Sequence, residues 1–355
     1  MKILFYLHHP AHFHLFRHTI RRLKADGHEL MLVATKKDVL EDLLKSEGWE
    51  YENFLPDGRK DNKFSIAMGL AKQDFRLLKK CLRSRPDLLI GTSTEICHIG
   101  WLLRIPNIFV NEDDADVIPL VKKLAHPFAH KLLSPEVCVT GRPDKTISYK
   151  GNHELAYLHP DVFTADKNVV RKYFNPDEPY FLIRFAKLKA HHDSGIKGIS
   201  REVALKLIDI LKPHGRVFIT AEREMEADFE PYRLNIRPID MHHVMAFADL
   251  YIGDSQTMAA EAGVLGVPFI RYNDFVGRIG YLRELEDVYH LGFGIKPVNE
   301  ELLLSTAQSI ISNPTRKPEW KQKLSVFLKD KINVTDFFVR TIESDDFISH
   351  GKRGN

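Results

Sequence analysis

The sequence predicts two parallel α/β sandwiches in tandem, followed by a helical tail. Three observations predict it. Short continuous apolar strands alternate with segments of helical spacing through the first half of the chain. The rhythm lapses between Gly141-Arg142-Pro143 and Asn175-Pro176-Asp177 and then restarts. A length of 355 residues exceeds one ordinary core and suits two domains of roughly 150 residues each.

The first domain, residues 1–160, opens with a strand over Lys2 to His8. Its apolar run stops at His8-His9-Pro10 with no small-residue cleavage site beyond, so it reads as a strand and not as a signal peptide. His14 to Lys24 has helical spacing and ends at Asp26-Gly27, where glycine suits the C-cap. Strand Glu29 to Ala34 follows, then a helix near Asp38 to Glu47 and a long helix within Lys63 to Arg83. Asp87 to Ile90 is a continuous apolar strand, and short strands recur at Ile108 to Val110, Lys131 to Leu133 and Val137 to Val139. The turn signals Lys150-Gly151-Asn152-His153 and His159-Pro160-Asp161 lead into a linker at residues 161–178.

The second domain, residues 179–330, repeats the rhythm. Strands are expected at Tyr180 to Arg184, Arg216 to Thr220, Leu250 to Ile252 and Pro268 to Arg271, with helices at Ser200 to Leu211, Met241 to Phe247 and Thr257 to Leu265. Beyond Pro297 the pattern is helical, at Glu300 to Ser312, Glu319 to Leu328 and Val334 to Ile342. The last of these belongs to a tail at residues 331–355.

Composition narrows the class. Apolar residues at 44% and charged residues at 28% are ordinary for a soluble globular chain, and no apolar run approaches the roughly 20 residues of a membrane span. A net charge of +3 is too small to mark a nucleic-acid binder. Cations do cluster, at Arg76, Lys79, Lys80, Arg83 and Arg85 and at Lys122-Lys123. They form either a solvated face or a patch attracted to anionic lipid, which would bring the chain to the inner face of the membrane. Cys81, Cys97 and Cys138 have neither paired nor metal-knuckle spacing, which suits a reducing, cytoplasmic setting.

Open parallel sheets bind ligands beyond the carboxyl ends of their strands, so two facing sheets make an interdomain cleft and the strand ends are where chemistry is sought. The most informative is residues 248–270. Strand Leu250 to Ile252 ends at Gly253, and Asp254-Ser255-Gln256-Thr257 opens a helix whose first amides lack intrahelical partners, a ready anion site. Glu261, six residues after Ser255, can face a ligand whose phosphates sit at the helix start. Phosphate at the amides and hydroxyls at a carboxylate describe a nucleotide with its ribose. A capped helix with Glu261 on the surface is the plainer alternative.

His9-Pro10-Ala11-His12-Phe13-His14-Leu15-Phe16 with Gly27-His28-Glu29, Arg184-Phe185 with His191-His192-Asp193, and Gly253 to Glu261 together resemble a bacterial and archaeal family labelled predicted glycosyltransferase. That family is similar to the GT-B group, which includes the peptidoglycan N-acetylglucosaminyltransferase and the UDP-N-acetylglucosamine 2-epimerases. The resemblance implies two Rossmann-like domains facing across a cleft, a nucleotide-sugar held mainly by the second, an acceptor held mainly by the first, and a last helix returning to the first. Ser255 matches the serine of the epimerases' diphosphate-binding segment, and Glu261 the glutamate that binds ribose hydroxyls. Gln256 and Thr257 depart from it, replacing two glycines.

Other strand ends then acquire roles. Arg184 and Lys187 can neutralise a leaving diphosphate without a metal, and Glu222, His191 and His192 occupy neighbouring strand ends or loops. Among His8, His9, His12, His14 and His18, His12 is the first choice for a base on an acceptor hydroxyl and His9 the second, with His14 lining the cleft. Glu112 and Asp113 line it as a base or a sugar contact, while Asp114-Ala115-Asp116 only imitates a metal-binding motif. Gly91, Thr92 and Ser93 offer amides and hydroxyls to an anion or a sugar, and lack the aspartate that the epimerases carry nearby. The expectation is a metal-independent glycosyltransferase with no cofactor, its donor a nucleotide-sugar and its acceptor an envelope saccharide or lipid-linked saccharide. A 2-epimerase and a noncatalytic nucleotide-sugar-binding protein remain as alternatives.

Overall fold

A computed structural model describes residues 1–37, 39–55, 63–186, 198–344 and 347. The chain divides into two compact units, Met1–Tyr157 with Ile332–Asn355, and Leu158–Lys331. Residues 161–178, expected as a linker, lie inside the second unit and hold the short helix Lys167–Val170.

The first unit is built on seven parallel strands: β1 (Lys2–Leu7), β2 (Glu29–Ala34), β3 (Glu52–Asn53), β4 (Leu88–Gly91), β5 (Asn107–Val110), β6 (Lys131–Pro135) and β7 (Thr146–Tyr149), ordered β3-β2-β1-β4-β5-β6-β7. Strand β1 is central, and Ile3 to Leu7 are fully buried, as continuous apolar character in a parallel sheet requires. Val137 to Val139, expected as a strand, is a turn; the seventh strand is Thr146–Tyr149, whose alternating Thr, Ile, Ser and Tyr carry no continuous apolar run. The first helix spans Pro10–Ala25, beginning before His14 because Pro10 fits the first turn and His9 caps it. His12 and His14 are therefore helical.

Two long helices, Lys63–Ser84 and Thr94–Leu103, cover the sheet next to β4, with Leu77, Cys81, Ile96 and Cys97 in a common core with Leu4, Leu89 and Phe109. The final helix, Val334–Ile342, packs on helix Pro10–Ala25, where Phe338 meets Phe16 and Thr335 Oγ1 donates to the Ala156 carbonyl at 2.6 Å.

The second unit has five parallel strands: β8 (Tyr180–Phe185), β9 (Arg216–Ala221), β10 (Leu250–Gly253), β11 (Phe269–Tyr272) and β12 (Gly292–Ile295), ordered β12-β11-β10-β8-β9. Strand β12, absent from the sequence expectation, is half glycine. Its Gly292 is required because a Cβ there would stand 2.4 Å from the Phe269 ring. In both units the winding reverses beside the first strand: between β1 and β4, and between β8 and β10. Crevices open at such switch points, beyond the carboxyl ends of the two strands.

Candidate functional site

At the switch point of the second unit, Arg184 on β8 lies in register with Gly253 on β10. Gly253 has no room for a side chain: a Cβ would sit 2.4 Å from Tyr251 Oη and 2.9 Å from Arg184 Cβ. Tyr251 is fully buried and its hydroxyl has no hydrogen-bond partner among the described residues; burial holds its pKa well above the usual phenol value. The guanidinium of Arg184 donates from Nη2 to Glu222 at 2.5 Å, whereas its buried Nε has no partner among the described residues.

The helix that follows β10 spans Gln256–Val264 and is capped by Ser255, whose Oγ accepts the Met258 amide at 3.4 Å. The amides of Gln256 and Thr257, in the first turn, point out of the helix start with the positive end of its dipole. Asp254 does not share this opening. Its carboxylate accepts the Ala186 amide at 2.6 Å and the Ile199 amide at 3.3 Å, and burial raises its pKa to about 6. It is a clasp between backbone segments, which corrects its assignment as a phosphate contact: a second negative charge at that position would repel one. Asn273, fully buried, donates to the Asp254 carbonyl at 2.9 Å and steadies the same corner.

Glu261 is buried one helical face further on, and His242 Nε2 lies 3.0 Å from its Oε1. His242 in turn stands edge-on to Phe163. His242 is not among the residues the sequence points to. Its only signal was a histidine pair in a short helix, and the 19 residues separating it from Glu261 conceal the contact. Lys187, His191 and His192 lie outside the described residues.

At the switch point of the first unit, Thr92 Oγ1 lies 2.9 Å from His12 Nε2. His9 uses Nδ1 to accept the Ala11 amide at 3.2 Å and so caps its own helix. Burial, with His8, His9, His153 and Lys37 nearby, pushes the His12 pKa well below the ordinary imidazole value. A base that weak is a poor proton acceptor at neutral pH, which overturns the reason for preferring it. His14 is also corrected: it is buried with its ring against Tyr157 and Phe13. Gly91 is set by packing, since a Cβ would stand 2.8 Å from the Tyr6 carbonyl oxygen. Ser93 caps helix Thr94–Leu103 by position and is buried.

The carboxylates after β5 are more promising. Glu112 accepts the His153 amide at 3.1 Å and lies 3.3 Å from His153 Nδ1. Beside it, burial together with the Glu112 charge raises the Asp113 pKa to about 7, while His153 works in the opposite direction. A carboxyl that titrates near neutrality can both give and take a proton at working pH. His153 was read only as part of a turn. Asp114 is spent on the Val139 amide at 2.7 Å and Asp116 is exposed, so the pair does not converge. Among the described residues no group of three or more His, Cys, Asp or Glu is arranged to hold a metal ion.

This architecture is shared by solved structures across nearly their whole length. The UDP-N-acetylglucosamine 2-epimerase of Methanocaldococcus jannaschii, solved with UDP-N-acetylglucosamine and UDP, superposes with a TM-score of 0.69 over 96% of this chain and 99% of its own at 14% identity. The enzyme of that name from Neisseria meningitidis, bound to UDP-N-acetylglucosamine, gives 0.63 over 96% and 99% at 14% identity. The calicheamicin glycosyltransferase CalG4 gives 0.59 over 98% of each chain at 13% identity. At such identities the likeness shows the fold, which is GT-B, two Rossmann-like α/β domains. Residues 1–287 match the family described as Protein of unknown function (DUF354), and the chain belongs to it. No curated protein matches the chain in sequence.

Proposed function

We propose that this chain is a glycosyltransferase that moves a sugar from a nucleotide-sugar donor to an envelope polysaccharide or glycolipid acceptor without a metal ion. One observation carries the reading: an open helix start, a buried guanidinium N–H on Arg184 with no partner among the described residues, and the buried carboxylate of Glu261 all belong to the switch point of the second unit. The amides of Gln256 and Thr257 and the Arg184 side chain bind the diphosphate and stabilise the charge that grows on it as the glycosidic bond breaks. Glu261, oriented by His242, accepts hydrogen bonds from the ribose hydroxyls. Asp113 and Glu112 of the first unit are the acid/base groups for the acceptor hydroxyl. The two 2-epimerases with the same fold were solved with UDP-N-acetylglucosamine bound, which supports the donor class. The acceptor class rests on the resemblance to the lipid-linked peptidoglycan enzyme.

A second reading is a 2-epimerase, and Asp113 favours it, since a carboxyl held at about 7 suits removal and return of a proton on the sugar. Two incubations separate the readings. Release of nucleoside diphosphate from UDP-N-acetylglucosamine that requires an added envelope extract supports transfer. Release of UDP with an epimerised sugar in the absence of any acceptor supports epimerisation. Binding with no turnover under either condition leaves a noncatalytic nucleotide-sugar-binding protein.

A further inference from the structure

Helix Lys63–Ser84 carries an outer stripe that the first unit leaves uncovered. Gln73, Leu77 and Cys81 face inward and are buried, whereas Lys72, Phe75, Lys79, Leu82 and Arg83 recur at three- and four-residue spacing on the outside. Phe75 is 67% exposed and Leu82 60%. Helix Thr94–Leu103 packs alongside, tied by His98 Nδ1 to Asp74 at 3.1 Å, and its last turn adds Trp101 at 63% exposure and Leu102 at 55%. The indole of Trp101 stands edge-on to partly buried Phe128 at 5.4 Å, which holds it in place on the surface. Four large apolar side chains on two adjoining helices are more than the scattered exposure any soluble protein shows.

The charge around them has one sign. Among the described residues Lys72, Lys79, Arg83, Arg85 and Arg104 are in no ion pair, whereas Lys80 on the adjoining flank is paired with Glu52 and Asp74 with His98. Arg85 and Arg104 follow the ends of the two helices with φ of 47° and 57°, a left-handed conformation that costs any residue with a Cβ more than it costs glycine. The helices lead into the adjacent parallel strands β4 and β5, so both arginines stand before the amino-terminal ends of neighbouring strands.

We propose that the outer face of these two helices docks on an anionic phospholipid bilayer. Phe75, Leu82, Trp101 and Leu102 enter the boundary between headgroups and acyl chains, and the cations meet lipid phosphates while their stems lie along the apolar surface. Cations alternate with apolar side chains at every turn, so no apolar centre ringed by a polar rim exists, as a protein interface has. Aliphatic Leu82 and Leu102 likewise offer nothing to a nucleic acid. None of these side chains is a switch-point residue, and the inference does not rest on the nucleotide-sugar reading.

Flotation of the full chain with phosphatidylcholine vesicles, with and without about one-third phosphatidylserine, tests it. The expected result is recovery with the anionic vesicles only, declining as salt is added. Lys72→Gln/Lys79→Gln/Arg83→Gln should lower the partition coefficient roughly 100-fold, about fivefold per cation. Phe75→Ser/Trp101→Ser should lower it at least about tenfold with an unchanged melting temperature. Equal recovery with neutral vesicles, no recovery with anionic ones, or wild-type recovery of the triple variant would overturn the proposal. So would a stable dimer that Phe75→Ser/Trp101→Ser dissociates, which would give the face to a second copy.

Discussion

Replacing Asp113 by asparagine should stabilise the first unit at neutral pH and leave it unchanged in acid. The carboxyl has an ordinary pKa of 3.8, and burial with the neighbouring Glu112 and Asp114 charges raises it to about 7 in the fold. Because the folded value exceeds the unfolded one, the folded chain keeps a proton that the unfolded chain releases between about pH 4 and pH 7. Stability therefore falls as pH rises through that window, with no cost below it and the full cost above. A shift of about three units at 1.36 kcal/mol each sets an upper limit of roughly 4 kcal/mol, and because Asp113 keeps part of its surface in water the cost is on the order of 1–3 kcal/mol. Asparagine has the same shape and no charge at any pH, so the variant escapes it. Urea unfolding of both proteins from pH 4 to pH 8 is the assay, followed by fluorescence, with Trp49 and Trp101 reporting the first unit. The difference between the two proteins should open from near zero to about 1–3 kcal/mol. Curves that stay parallel across the range would refute the reasoning, since every other titrating group is common to both.

Three further outcomes are expected. Arg271 is fully buried and its guanidinium donates to both carboxylate oxygens of Glu286 at 2.8 and 3.0 Å, so Arg271→Ala should cost about 3–5 kcal/mol in denaturant unfolding. Arg271→Met/Glu286→Leu, which buries no unpaired charge, should lose much less. Gly253→Ala drives a Cβ to 2.4 Å from Tyr251 Oη and should cost about 1–3 kcal/mol in melting experiments while weakening nucleotide affinity. The His12 ring should remain neutral at pH values where an exposed histidine is already protonated, and a nitrogen-15 NMR titration with an ordinary midpoint would contradict the burial argument.

Much of the fold was legible because a parallel sheet buries its strands on both faces. Lys2–Leu7, Leu88–Gly91 and Leu250–Gly253 announce themselves as apolar runs, and helix Glu300–Ser312 was bounded to the residue. The edge strands Thr146–Tyr149 and Gly292–Ile295 were not legible, since an edge position tolerates polar residues and glycine. The candidate donor site was readable as a strand end followed by a helix start, which is a local pattern. What the local pattern hides is who pays attention to whom across the sheet: Asp254 resembles a ligand in sequence and turns out to hold the Ala186 and Ile199 amides. His242 and His153 each meet a carboxylate on another element, Glu261 and Glu112, and neither contact has a sequence signature. His12 was chosen for the ordinary pKa of its residue type, and only the packing around it reveals the shift.

The central claim is that the switch point of the second unit binds a nucleoside diphosphate through Arg184, the helix start and Glu261. Titration calorimetry with UDP, GDP and CDP, repeated on Arg184→Ala and Glu261→Ala, tests it most directly. At least one nucleotide should bind the wild type, and each substitution should weaken it roughly 10- to 100-fold, the worth of one charge-assisted hydrogen bond, in variants shown by circular dichroism to remain folded. Failure of all three to bind, or affinity unchanged in both variants, would contradict it.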